Sequence, residues 1–176
     1  INSKNSANSN FWSNYCSSNG WDGICIESSK NISLTENTTK YNRYSGIKIW
    51  FDTGIKISNN ISSYNEIGIS SVVSSDLFIN NNLVSNNTNY GFESYYCDSI
   101  YLINNISQTN KEGIVIWVQS NNIKIDSCQF NNNTSNGITI DKSFNIFFNN
   151  TKIYSNLVDG FHITNADSIF INRNII

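Results

Sequence analysis

Apolar residues in this chain alternate with polar ones over short stretches, and the stretches return at a fixed interval. Ile24 and Ile26 follow Gly23, and the step repeats as Ile47 and Ile49 after Gly46, Ile114 and Ile116 after Gly113, Ile138 and Ile140 after Gly137, and Phe161 and Ile163 after Gly160. An apolar residue at every second position marks a strand with one buried face. Further along each repeat a second alternation keeps the same register: Ile32 and Leu34, Ile55 and Ile57, Leu77 and Ile79, Ile100 and Leu102, Ile123 and Ile125, Ile146 and Phe148, Ile169 and Ile171. A third, weaker strand is expected around Ile61, Leu83, Ile106, Phe130 and Ile153.

Two ladders fix the period. Gly23, Gly46, Gly68, Gly91, Gly113, Gly137 and Gly160 form one, and Asn19, Asn42, Asn65, Asn87, Asn110, Asn133 and Asn156 the other, with steps of 22 to 24 residues. Such a period has no room for two helices of about 10–12 residues with their turns. Strands that recur once per turn pair with their own copies in the next turn, which makes them parallel. Successive turns then rise by about 4.8 Å, and parallel crossovers are right-handed in nearly all cases. The fold class is therefore all-β: a right-handed, single-stranded parallel β-helix, or β-solenoid, of about seven coils with 22–24 residues per coil. Residues 1–13 read as an irregular polar segment with an incomplete first coil. Residues 14–176 read as one β-helix domain with an uncapped C-terminal end.

The repeat N-x(2,3)-x-G-I-x-I, followed by I-x-I-x-N-N-x-I, resembles the right-handed parallel β-helix repeats of pectate-lyase-like and NosD-like proteins over nearly the whole chain. The resemblance implies the fold. It leaves the activity open, because this architecture carries lyases, hydrolases, epimerases, tailspikes and adhesins alike. Polygalacturonase-like members have clustered aspartates, a glycine-flanked histidine and an Arg-x-Lys, and pectate-lyase-like members have an acidic calcium site beside a basic residue. This sequence matches neither set: Arg43 and Arg173 stand apart from any acidic column, and the one histidine, His162, falls on an outward strand position.

The ladders have a structural reading. A glycine at one bend in every coil suits either a positive φ or packing too tight for a Cβ. Stacked asparagines pass amide hydrogen bonds from coil to coil. A further column, Asn14, Asn37, Asn60, Asn82, Asn105, Cys128, Thr151 and Asn174, follows the same logic with substitutions.

Composition places the chain outside the cell. Net charge is −2 with 14% charged residues, so asparagine and serine supply the solubility that lysine and glutamate supply in cytoplasmic proteins. No segment approaches the about 20 apolar residues of a membrane span, and nothing basic enough to bind nucleic acid is present. The first residue is Ile1, so the chain reads as a processed form or a fragment. The sequons best suited to carry N-linked glycans are Asn31, Asn86, Asn132 and Asn149, since others belong to a column expected to face inward. Cys16 and Cys25 share a coil and are either a disulfide that staples it or, like Cys97 and Cys128, free thiols.

Three features are candidates for function. Asp52, Asp76 and Asp98 fall in the bend between the two main strands of successive coils, where stacked carboxylates call for spreading or for a bridging cation, so a structural calcium is one expectation and solvated bend residues the other. Paired apolar residues, Trp50-Phe51, Val72-Val73, Tyr95-Tyr96 and Trp117-Val118, recur at the same strand end. Alternation would turn the second member inward and leave Trp50, Val72, Tyr95 and Trp117 as an exposed stripe for glycans or lateral packing, unless the bend tucks all of them into the core. Finally, Ile175 and Ile176 end the chain partway through a coil and suggest an axial contact. The sequence thus points to an extracellular structural or adhesive solenoid without catalysis or cofactor, stacking head to tail or forming part of a larger surface protein. The alternative is a carbohydrate-binding or lyase-like protein that uses the aromatic stripe.

Overall fold

The computed structural model describes residues 1–176 as a right-handed parallel β-helix. Three parallel sheets of eight, eight and seven strands run along its axis, and no helix is present. In the central coil the first sheet contributes Tyr90–Tyr95, the second Asp98–Ile103 and the third Ile106–Gln108. Every strand pairs with its counterpart one coil away, so Ile47, Ile69, Phe92, Ile114 and Ile138 stack in one line. Within Ser45–Trp50 the alternation is direct: Ile47 and Ile49 are buried, Lys48 and Trp50 are partly exposed. The stacked β-branched residues fill a narrow core, and apolar burial of this kind is the main stabilising term.

The turns between sheets are made by left-handed residues that are not glycines, one per turn in the coils below and two, Val118 and Gln119, after Trp117. Phe51, Val73 and Tyr96 take φ of 60°, 48° and 53° between the first and second sheets, and Asn59, Asn81 and Asn104 do the same between the second and third. Of the two readings of the glycine ladder, tight packing is the one the structure supports. Gly54, outside the ladder, is the glycine with positive φ. At Gly91 an added Cβ would stand 2.6 Å from the Gly113 carbonyl oxygen and overlap the Ser107 hydroxyl, so the corner of the coil has no room for one.

The ladder from Asn19 to Asn156 is continuous, and the second runs unbroken from Asn14 to Cys128. Asn65 shows the pattern: its backbone N–H donates to Asn87 Oδ1 at 3.0 Å, while its own Oδ1 accepts the Asn42 N–H at 2.9 Å. Where Cys128 replaces asparagine, its sulfur accepts the Asn105 N–H at 3.4 Å. A third ladder occupies the corner between the first and second sheets, where the Ser29 N–H donates to Asp52 Oδ1 at 2.6 Å and the Asp52 N–H to Ser74 Oγ at 3.0 Å.

Two expectations need correction. Residues 1–13 are not irregular: Asn2–Lys4 and Asn10–Trp12 are strands paired in register with Cys25–Glu27 and Ser33–Thr35. Their polar composition hid them, because Asn2–Lys4 carries no apolar alternation. Cys16 and Cys25 do not form a disulfide, and all four cysteines are free. Cys16 points into the core from the third sheet, whereas Cys25 occupies an outward position between the buried Ile24 and Ile26 of the first. At the opposite end, Ile163, Ile171, Ile175 and Ile176 are exposed beside the free edges of the last strands. Any strand added there would continue the sheets.

Candidate functional site

The outward face of the first sheet carries three columns of side chains, of which the one at the strand starts holds Ile67, Tyr90 and Glu112. The column at the strand ends reads Glu27, Trp50, Val72, Tyr95, Trp117, Asp141, each paired with the next across the sheet. All are partly exposed. The following residues also lie outside, with Phe51 52% and Tyr96 43% exposed. The expectation that these second members turn inward fails because their positive φ adds a half-turn to the chain, and the inward position passes to Asp52, Ser74 and Cys97. The stripe is therefore a ridge two residues wide. Its rings are in mutual contact: Trp50 and Phe51 lie 5.3 Å apart, Tyr95 and Tyr96 5.0 Å, and Tyr95 and Trp117 6.1 Å between centroids.

Beside the ridge runs the middle column, Cys25, Lys48, Ser70, Glu93, Val115, Thr139, His162. Although these positions face outward, Ser70 is 2% and Val115 3% exposed. The Tyr90 and Trp117 rings meet edge to face at 5.9 Å from opposite ends of their strands, closing over this column. Ser70 Oγ donates to Glu93 Oε2 at 2.6 Å, and Lys48 Nζ stands 4.9 Å from the centre of the Trp50 ring. Burial raises the Glu93 carboxyl above the usual range, against the lowering effect of the Ser70 hydroxyl and Lys48. Tyr90 is raised as well, by burial first and then by Glu112, Glu93 and Glu66. Trp117 Nε1 is buried and has no acceptor.

Toward the first coil the face opens into a hollow of about 320 Å³ lined by Trp21, Asp22, Cys25, Glu27, Lys48 and Trp50. Trp21 is 72% exposed and its ring lies 5.0 Å from that of Tyr44. Burial, with Asp22 and Glu27 adding, pushes the Cys25 thiol up to about 11, so Cys25 is a neutral wall and not a nucleophile.

The other candidates separate. Asp52, Asp76 and Asp98 do not stack. Asp52 is buried in the corner ladder, Asp76 is a left-handed residue accepting from Thr53 Oγ1 at 3.2 Å, and Asp98 starts a strand and accepts from Asn122 Nδ2 at 2.9 Å. No group of three His, Cys, Asp or Glu side chains is arranged to hold a metal. His162 meets only Asp159, at 3.3 Å on the surface. Among the sequons, Asn31 and Asn132 are exposed and Asn86 and Asn149 partly so, whereas Asn37, Asn60, Asn105 and Asn133 are buried in the ladders.

Sequence reasoning missed Tyr90, Glu112 and Trp21 as members of the same face. The signal was present in the outward positions of successive alternations, but the aromatic pairs drew attention to the strand ends. It also missed a flat stripe on the second sheet, where Lys56, Phe78, Tyr101, Lys124, Phe147 and Phe170 align. There Phe147 and Phe170 stack at 4.6 Å, 5° from parallel.

The family model for the right handed beta helix region matches residues 1–150, and the chain belongs to that family. No curated protein matches it. Among solved structures it is similar to the A-module of mannuronan C-5 epimerase AlgE6 from Azotobacter vinelandii, with TM-score 0.75 and 17% identity over 81% of this chain and 44% of that one. It is similar to the periplasmic alginate epimerase AlgG, with TM-score 0.77 and 15% identity over 88% of this chain and 48% of that one. It is also similar to PfbA, a surface adhesin of Streptococcus pneumoniae, with TM-score 0.60 and 11% identity over 98% of this chain and 62% of that one. The chain thus spans about half the length of the two epimerases, and the likeness is one of fold.

Proposed function

We propose that this chain is a β-helix of the cell exterior that binds polysaccharide along the outward face of its first sheet, in an adhesive and not a catalytic role. The observation that carries the reading is the ridge of Trp50, Tyr95 and Trp117, in register along the axis and running into the hollow beside Trp21. Aromatic rings aligned along the axis suit the flat apolar faces of sugar rings, and an exposed apolar patch of this kind marks an interaction surface. The similar structures agree in kind, two being by their names epimerases of mannuronan and of alginate and one a surface adhesin. The test is calorimetric titration of the purified chain with a panel of neutral, anionic and cationic oligosaccharides. Trp50→Ala and Trp117→Ala should each weaken the best ligand by about tenfold or more, as expected for aromatic anchors of about 2 kcal/mol. Absence of saturable binding across the panel sinks the reading.

A second reading, bond-making chemistry on the same face, is favoured by one observation: Glu93, held by Ser70 Oγ at 2.6 Å and with its carboxyl raised by burial, lies beside Tyr90, and a raised carboxyl is the kind of group that serves as a general acid. Prolonged incubation with each polysaccharide, followed by mass and NMR analysis of the sugar, would reveal cleavage or epimerisation if this second reading holds.

A further inference from the structure

The polysaccharide reading leaves the chemistry of the sugar open, and the charge of the face narrows it. Carboxylates on or beside the outward columns are Asp22, Glu27, Glu66, Glu93, Glu112 and Asp141, and the cations on or beside them are Lys4, Lys48, Lys111 and Lys142, with Arg43 over the Tyr44 ring at the first-coil end, so the uncompensated charge lies at the centre. Of these carboxylates, Glu27 alone is paired with a cation, meeting Lys4 at 2.7 Å.

Three carboxylates at the centre are instead held by neutral donors from neighbouring coils. Ser70 Oγ donates to Glu93 Oε2 at 2.6 Å, Asn89 Nδ2 to Glu66 Oε1 at 2.9 Å, and Thr139 Oγ1 to Glu112 Oε2. A hydroxyl or amide donor fixes the orientation of a carboxylate without cancelling its charge. The second oxygen of each receives no protein donor, so it is aimed and free. All three surround Tyr90, whose ring and that of Trp117 form the middle of the aromatic surface.

An anionic chain laid over the centre of this face meets Glu66, Glu93 and Glu112, while a cationic one finds oriented acceptors there between stacking platforms. We infer that the face takes a glycan carrying protonated amino sugars, with rings stacked on Trp50, Tyr95 and Trp117 and ammonium groups accepted by Glu93 and Glu112. The inference rests on the polysaccharide reading and departs from the mannuronan and alginate that the two similar epimerases are named for.

The experiment is calorimetric titration of the full chain with hexamers of glucosamine, N-acetylglucosamine and mannuronate. The glucosamine hexamer should bind about tenfold to a hundredfold more tightly than the acetylated one for each charge-assisted contact, and the uronate should bind worst. The preference should shrink as salt is raised. Glu93→Gln should remove about tenfold from glucosamine binding and leave the acetylated hexamer unchanged, because glutamine keeps the acceptor for Ser70. Glu112→Gln provides the same readout if Glu93→Gln folds poorly. Equal binding of the three hexamers, or a preference for the uronate, overturns the amino-sugar inference and leaves the polysaccharide reading standing. No binding of any hexamer overturns both.

Discussion

Replacing Asn87 with alanine removes a side chain that serves buried groups on both sides of its coil. Its Oδ1 accepts the Asn65 N–H at 3.0 Å and Asn65 Nδ2 at 3.3 Å, and its Nδ2 donates to Asn110 Oδ1 at 3.0 Å and to the Ser62 carbonyl at 3.3 Å. Asn65 and Ser62 are buried, so water does not replace the lost partner. An orphaned buried donor costs about 1–3 kcal/mol, and each lost neutral bond about 0.5–1.5 kcal/mol more. The sum, discounted for relaxation, is about 2–4 kcal/mol. The control lies at the end of the same ladder. Asn19 is exposed and its amide only donates, to Asn42 Oδ1 at 2.8 Å, so Asn19→Ala should cost less than about 1 kcal/mol. Urea unfolding followed by circular dichroism measures both costs from the midpoint shift at constant slope. Equal costs for the two variants would refute the ladder as a chain of buried, mutually dependent bonds.

Other consequences follow from the same geometry. Gly91→Ala should destabilise by about 1–3 kcal/mol or more, since its Cβ would stand 2.6 Å from the Gly113 carbonyl oxygen; a thermal melt unchanged from wild type would contradict this. Alkylation at mildly alkaline pH should leave Cys25, raised to about 11, and the buried Cys128, also raised to about 11, unmodified in the native chain, whereas unfolding should release all four thiols; rapid native labelling would show that these sites are open. Glu93 lies among Lys48, Glu66, Tyr90 and Glu112, and its raised pKa means that the protonated carboxyl favours the folded state. The cost of ionising it is absent below the ordinary glutamate range and grows as pH rises through that range to the raised value. Glu93→Gln should therefore gain stability relative to wild type across that window, and a difference independent of pH would exclude the burial effect. Expression in a glycosylating host should modify Asn31 and Asn132 and spare the buried Asn60 and Asn105, which peptide mass mapping reads directly.

The fold was legible because three independent periodicities agree: alternating Ile47 and Ile49 or Ile55 and Ile57 define strands, Gly46 and Gly68 define the coil, and Asn42 and Asn65 its bends. The site was legible only in part. Trp50, Val72, Tyr95 and Trp117 could be assigned to one column by counting, but the outward placing of Phe51 and Tyr96 depends on a left-handed φ that no aromatic residue announces. Asp52 seemed to belong with Asp76 and Asp98 because all three are acidic and near one bend. Its true companions are Ser29 and Ser74, small acceptors of a neighbour's N–H, and that role shows only once backbone donors are located. Glu93 and Glu112 were invisible as partners because they lie on different columns, brought to one surface by the rings of Tyr90 and Trp117.

The most direct measurement of the central claim is a crystal structure of the chain with a bound oligosaccharide of the tightest-binding class. The account predicts sugar rings stacked along Trp50, Tyr95 and Trp117 on the first sheet, with polar groups meeting Glu93 and Glu112. Rings seated instead over Phe78, Tyr101 and Phe147 on the second sheet, or bound only at the exposed ends of the coil, would contradict it.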